Sequence, residues 1–312
     1  MTATWDVVGL GENSVDHVYV LPGAPATRTK AQAISHRVRF GGQVATTLCA
    51  CAAFGLRASY IGAFGDDADG VHLRAALGSR GLDLRQARTR PVANRSALVL
   101  VDGSTGDRSV YWMRDAALTM RPGELDARHI ARCRLLHVDA TDEDAALSAA
   151  GIARAAGIPV TCDIDTVTPG AVRLLAAVSV PILAETVAEA LTGEPDLDRA
   201  LRALRRMHAG PICVTLGSAG SVMLDGDAVH RAPAFQVEAV DTTGTGDVFR
   251  GAFIHGLLRG DAPPDILRVA NAAAALSCLH EGAIDGVPTR DAVEAFLAER
   301  DRSTERTRPG CG

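Results

Sequence analysis

The chain has 312 residues, with 32 Lys and Arg against 37 Asp and Glu, for a formal charge of −5. That length suits one large α/β domain or two small ones with a sizeable core, and the mild acidic balance argues against a dedicated nucleic-acid or membrane-surface binder. No apolar run approaches the roughly 18 residues a transmembrane helix needs, and the opening MTATWDVVGLGENSVD has no basic stretch or cleavage site of a signal peptide, so a cytoplasmic protein is expected.

The first predicted strand is WDVVGLG, residues 5–11, followed by a second extended stretch at HVYVL rather than by a helix. An alternating run at AISHRVRF leads to Gly41 and Gly42, then to an Ala- and Thr-rich helix over 43–54 and a strand, SYIGAFG, ending at Gly65. RSALVLVD and DRSVYWM flank the turn GSTGD, which reads as a hairpin. From about residue 134, apolar strands at LLHVDA, PVTCDID, VPILA and PICVTLG alternate with helices, among them 142–156 and 197–208. That alternation predicts a parallel sheet covered on both faces. A late hairpin (SVMLDG, then AVHRAPAFQVEAVD) precedes three helices over 245–259, 264–280 and 289–300. The polar tail RSTERTRPGCG has the composition of a disordered end. The expectation is one α/β domain over residues 1–303 with a tail at 304–312, its early extended segments within about 12–40 and 94–115 forming a small accessory sheet.

Seven cysteines are scattered without a CxxC pair, mostly inside apolar runs, as expected of reduced thiols acting as small hydrophobes. Cys49 and Cys51, two apart on a predicted helix, face different directions and make a poor metal pair.

The strongest chemical signal is VDTTGTGDVFRGAF at 240–253, which opens an apolar helix and is read as following a strand. Gly244 and Gly246 permit turn conformations that expose successive N–H groups at a helix N-terminus, where the helix dipole also favours negative charge. Such a loop suits a phosphoryl group. Asp247, in the first helical turn, would then take a proton from a substrate hydroxyl, since phosphoryl transfer leaves little covalent chemistry to the protein; helix capping is the competing explanation.

DTTGTGD at 241–247 resembles the carboxy-terminal signature of the ribokinase-like (PfkB) carbohydrate kinases. GGQVATTLCACAAFGLRASYIGAFGDDADG at 41–70 resembles their amino-terminal signature, and VTLGSAG at 214–220 their nucleotide-binding strand and turn. The order and spacing fit over about residues 5–300. The resemblance implies a three-layer α/β/α sandwich with a mainly parallel central sheet and a β-lid over a sugar site. It also implies ATP and Mg²⁺ as cofactors. Asp247 is implied as general base, and the backbone of Gly244, Thr245, Gly246 and Asp247 as anion hole. Asp16 would hold sugar hydroxyls beside Gly41, Gly42 and Gln43, while Thr215, Gly217 and Gly220 would line the ATP site with Asn271 near the adenine. A monovalent cation such as K⁺ near Asp241, Thr243 and the loop 280–285, and a homodimer through the lid strands, are common in the family.

Two departures bear on function. Gln43 stands where the family usually has Asn, which lengthens the amide by one methylene and alters the pocket. The family's Asn-x-x-Glu motif, which helps place hydrated Mg²⁺ and the phosphates, falls on Ala184-Glu185-Thr186-Val187, so both functional side chains are missing. Glu185 is a poor stand-in, about 100° round a helix from the needed position. The sulfofructose-kinase branch also departs from this motif, and PAFQVEAVDTTGTGDVF is similar to it, which points toward an anionic or modified ketose; Arg95 and Arg114 on the lid would meet such a substituent.

GLGENS at 9–14 has Ser14 where a dinucleotide fingerprint needs its last glycine, and no helix follows, so a Rossmann reading is rejected. Asp66, Asp67 and Asp69 read as a helix-start cap rather than a metal site. The expectation is an ATP-dependent kinase acting on a sugar hydroxyl. Its rivals are a sugar or nucleotide sensor without turnover, motivated by the missing Asn-x-x-Glu pair, and a nucleoside kinase.

Overall fold

In the computed structural model, which describes residues 3–26, 28 and 30–307, the run WDVVGL forms β1 (Trp5–Leu10). Its successive side chains leave on opposite faces: Val8 and Leu10 join one apolar core and Val7 another. Thirteen further strands follow among the described residues. The first seven are β2 (Ser14–Leu21), β3 (Ser35–Gly41), β4 (Ala58–Ile61), β5 (Ala63–Gly65), β6 (Arg88–Arg90), β7 (Ser96–Asp102) and β8 (Arg108–Met113). The rest are β9 (Cys133–Asp139), β10 (Val160–Ile164), β11 (Val180–Ala184), β12 (Ile212–Thr215), β13 (Ser221–Asp225) and β14 (Ala228–Ala232).

Eight strands make the central sheet, in the order β14-β13-β12-β11-β10-β9-β1-β4. Pairing is parallel from β4 through β12 and antiparallel only at the β12–β13 and β13–β14 edge. Strands such as VTCDI in β10 are buried along their whole length, as parallel strands covered on both faces must be. Helices α1 (Gln43–Ala53), α2 (Ala68–Ser79) and α3 (Ala127–Ile130) precede four in the βα repeats: α4 (Glu143–Ala155), α5 (Pro169–Ala177), α6 (Glu185–Thr192) and α7 (Leu197–Met207). Helices α8 (Thr245–Arg259), α9 (Pro263–Ser277) and α10 (Arg290–Thr307) close the chain. Residues of α3 through α7 pack on one face of the sheet, and residues of α1, α2, α8, α9 and α10 on the other. The result is the expected three-layer sandwich.

The lid is a four-stranded sheet in the order β3-β2-β7-β8. Its register aligns Arg39, Asp16, Ala97 and Trp112 in one row, then Arg37, Val18, Val99 and Val110, then Ser35, Val20, Val101 and Arg108. These three rows share one face, which turns toward the main body and lines a cavity between the two.

The structure departs from the sequence reading in three places. SYIGAFG is two strands, broken at Gly62, where the Tyr60 ring fills the space a side chain would need; β4 joins the main sheet, whereas β5 pairs with β6. PAFQVEAVD is not a strand beyond Ala232, so the 241–247 loop follows irregular chain whose Val240 and Asp241 N–H groups donate to the Cys278 carbonyl at 2.7 and 3.2 Å. Helix α10 runs on to Thr307, past the predicted end at 300, while residues 308–312, including Cys311, lie outside the described residues. The other six cysteines are free and buried. No helix among the described residues is long and apolar enough to cross a membrane.

Candidate active site

The turn before α8 begins at Asp241, whose Oδ1 accepts from the Thr243 N–H (2.9 Å) and hydroxyl (2.7 Å) while Oδ2 accepts from the Gly282 N–H at 2.9 Å. Those bonds hold the carboxylate well below its usual range, at about 2, against the opposing effect of burial. Gly244 is the N-cap of α8 at φ 73°, ψ 1°, a left-handed conformation suited to glycine, and a side chain there would overlap Ala283. The Asp247 N–H donates to the Gly244 carbonyl at 3.0 Å and the Thr245 N–H to the Thr242 carbonyl at 3.3 Å. Among the described residues the Gly244 and Gly246 N–H groups have no backbone partner, as first-turn donors commonly do not. Along the turn, the open N–H groups of Gly244 and Gly246 therefore alternate with the engaged ones of Thr245 and Asp247.

Asp247 reaches the cavity because α8 crosses α1 at close range. Gly251 has no room for a side chain against Ala50, and the Thr47 hydroxyl donates to the Asp247 carbonyl at 3.2 Å. The start of α1 carries Gly42 at φ 99°, where a side chain would strike the backbone of Glu12 and Asn13. The helix crossing therefore brings Gly41, Gly42 and Gln43 beside Asp247. Together with Asp16 they line one cavity of about 460 Å³ between lid and body. Asp16 accepts from the Ser14 hydroxyl at 2.8 Å, and burial raises its carboxyl.

Arg114 is not part of that lining. Its guanidinium donates to Asp142 at 2.6 Å and to the Thr119 hydroxyl at 3.2 Å, beside a small cleft that shares Glu12 and Arg95 with the larger one. Arg95 does line the cavity, paired with Glu12 at 2.6 Å and stacked 5.6 Å from the Trp112 ring.

Several participants were not singled out from sequence. Glu12 faces the cavity with its carboxyl pushed up to about 7, first by burial, with Asp139 adding to the rise and Arg95 opposing it. Asp163 is the penultimate residue of β10 and forms a buried ion pair with Arg250, which lies one turn along α8 from Asp247. Burial and then Asp163 raise the Asp247 carboxyl well above its ordinary value, with Arg250 opposing. An arginine inside the apolar run Val248–Phe253 was the available signal, but its partner lies on a strand far away in sequence.

Of the residues expected at the nucleotide, Thr215 ends β12, and Gly217 and Gly220 bound the tight turn into β13. Asn271 is buried; its amide donates to the Ala232 (3.0 Å) and Pro233 (3.2 Å) carbonyls and its oxygen accepts from the Ser221 hydroxyl at 3.1 Å. It clamps α9 to the β13–β14 hairpin, which accounts for its amide without an adenine. Ala184 caps α6, Glu185 is exposed and Val187 is buried, so that segment offers no replacement for the missing pair. Asp67 caps α2 by accepting from the Gly70 N–H at 3.0 Å, as expected.

The family model for pfkB family carbohydrate kinases matches residues 6–290. An ATP-dependent ribose-1-phosphate kinase from Halopiger xanaduensis is 31% identical over 94% of this chain and 98% of its own. A nucleoside kinase from Methanothermobacter thermautotrophicus is 28% identical over 96% and 98%. The structure of Arabidopsis thaliana ribokinase complexed with ribose and ATP superposes with a TM-score of 0.85 at 25% identity, covering 95% of this chain and 99% of that one. The glycine-led turn ahead of Asp247, the lidded cavity and these likenesses together establish that the chain belongs to the pfkB family of carbohydrate kinases, phosphotransferases that act on sugar hydroxyls.

Proposed function

We propose that the protein transfers the γ-phosphoryl group of ATP to a hydroxyl of a ribose unit, free or substituted. The observation that carries this reading is the placement of the Asp247 carboxylate at the head of α8, in the same cavity as Asp16 and the Gly41–Gln43 backbone. Asp16 and Gln43 hold acceptor hydroxyls, and Asp247 takes the proton of the attacking one. The Gly244 and Gly246 N–H groups, backed by the α8 dipole, stabilise charge on the phosphoryl oxygens. Ribose is named in two of the three relatives above, which is why it is preferred to a ketose.

Among the described residues no three His, Cys, Asp or Glu side chains converge into a metal cage. Mg²⁺ would instead be carried on nucleotide oxygens and water, where it would neutralise phosphate charge. A monovalent cation at Asp241 and Thr243 fits less well. Asp241 already accepts four hydrogen bonds, one from Arg108 at 2.9 Å, and no step is assigned to such an ion.

A nucleoside acceptor is the second reading, favoured by the apolar lid row of Val18, Val99 and Val110 and the neighbouring Trp112, which offer a base a surface that ribose hydroxyls cannot use. The intact Asp247 and turn glycines favour turnover over a sensor that only binds. The test is ADP release from Mg·ATP with ribose, ribose 1-phosphate, nucleosides, fructose and a sulfonated ketose. Turnover confined to the ketoses overturns the ribose assignment, and binding without turnover across the panel overturns the kinase.

A further inference from the structure

Helix α8 is buried all round from Val248 to Ile254, including Arg250, whose side chain is 6% exposed. A guanidinium removed from water is costly unless paired. Its partner is Asp163 near the end of β10, 1% exposed, which its Nη2 contacts directly. The other arm, Nη1, lies 3.8 Å from Asp247 Oδ1. A side chain on Gly246 would come 2.7 Å from the same Nη1, so the guanidinium sits directly under the turn that carries the anion-hole donors.

Stability alone gives little reason for such a pair, because apolar residues of equal volume at a buried ion-pair site commonly stabilise a protein as well or better. Its location gives a reason. The charged groups acting on Asp247 are Asp163 on β10, Glu12 after β1, Asp139 at the end of β9, and Arg250 one turn along α8. Three are carboxylates, and Arg250 is the single one of the four that favours the ionised form of Asp247.

We propose that Arg250 and Asp163 are positioning residues of the transfer reaction: Asp163 fixes the Arg250 guanidinium beneath the 244–247 turn, and Arg250 holds Asp247 ionised and aimed at the acceptor hydroxyl. The proposal rests on the reading of Asp247 as the base. Without Arg250, Asp247 would face three carboxylates in a buried site and would protonate at higher pH. With Asn in place of Asp163, the like charge that most opposes its ionisation would be gone, while the amide oxygen could still accept from Arg250 and keep it in place.

The experiment is the pH dependence of kcat/KM for wild type, Arg250→Met, Arg250→Lys, Asp163→Asn and Asp247→Asn with the best acceptor of the panel, with thermal melts of each. Arg250→Met is expected to move the acid limb up by about 1 pH unit or more and to lower kcat with little change in KM for ATP. Arg250→Lys restores the limb, and Asp163→Asn moves it down. Opposite displacement by the two neutralising variants is an outcome that mere loss of packing cannot produce. An acid limb that stays put, or moves the same way in both, overturns the proposal. Should Arg250→Met fail to fold, Asp163→Asn decides: an acid limb that moves down supports the proposal, and one that stays put or moves up overturns it. Asp247→Asn separates the layers: turnover retained there removes the base itself, whereas an inactive Asp247→Asn with unmoved limbs elsewhere removes only the pair.

Discussion

Arg108, at the start of the last lid strand, donates from Nη1 to Asp241 Oδ1 at 2.9 Å and to the Thr243 hydroxyl at 2.8 Å, so the lid is fastened to the turn that carries Asp247. The four-bonded Asp241 carboxylate has its negative charge met by a side chain of the same protein. Turnover is therefore expected to be the same, within about twofold, in K⁺ and in tetramethylammonium chloride. Arg108 is 38% exposed, and a partly exposed ion pair is worth at most about 1 kcal/mol. Arg108→Ala should accordingly raise the acceptor KM by no more than about fivefold. Strong activation of the wild type by K⁺ would show that the guanidinium does not meet that charge.

Asn271 spends its amide on two carbonyls and its oxygen on Ser221. Replacing it with Ala leaves buried polar groups unpaired, at about 1–3 kcal/mol. Urea denaturation should register that loss while the KM for ATP stays within about threefold, a margin of under 1 kcal/mol. A large rise in KM at unchanged stability would return Asn271 to the adenine site.

How much of this was legible in the sequence depends on distance along the chain. The 241–247 turn and its helix could be read because the glycines, the acid and the apolar face are contiguous, and the α8 boundaries match the structure. The lid hairpin was equally local, since GSTGD sets its turn. Breaks set by long-range pairing could not be read: the run around Gly62 divides because β4 joins β1 while β5 joins β6, and residues after Ala232 leave the sheet although their apolar residues alternate. The Arg250–Asp163 and Glu12–Arg95 pairs were hidden for a related reason. Each joins residues from different elements, and a single charged residue in an apolar helix does not name its partner.

Burial also predicts a pH signature. The Glu12 carboxyl is raised from 4.5 to about 7, so the folded protein keeps a proton there that the unfolded chain has released. Its contribution to stability is full below about pH 4.5 and is lost as pH rises toward about 7, where the folded state must also bear the buried charge. Glu12→Gln, which cannot ionise, should gain on the wild type across that interval in denaturation curves taken at successive pH values. A stability difference that is flat from pH 4.5 to 7 would mean that Glu12 titrates as an ordinary exposed carboxyl.

The central claim is that Asp247 takes the proton from the acceptor. Its most direct test is kcat for Asp247→Asn in Mg·ATP with the preferred acceptor, alongside calorimetric binding of both substrates. The account predicts a loss of about 10²–10⁴-fold with both substrates still bound and the fold intact. Wild-type turnover in this variant would contradict it.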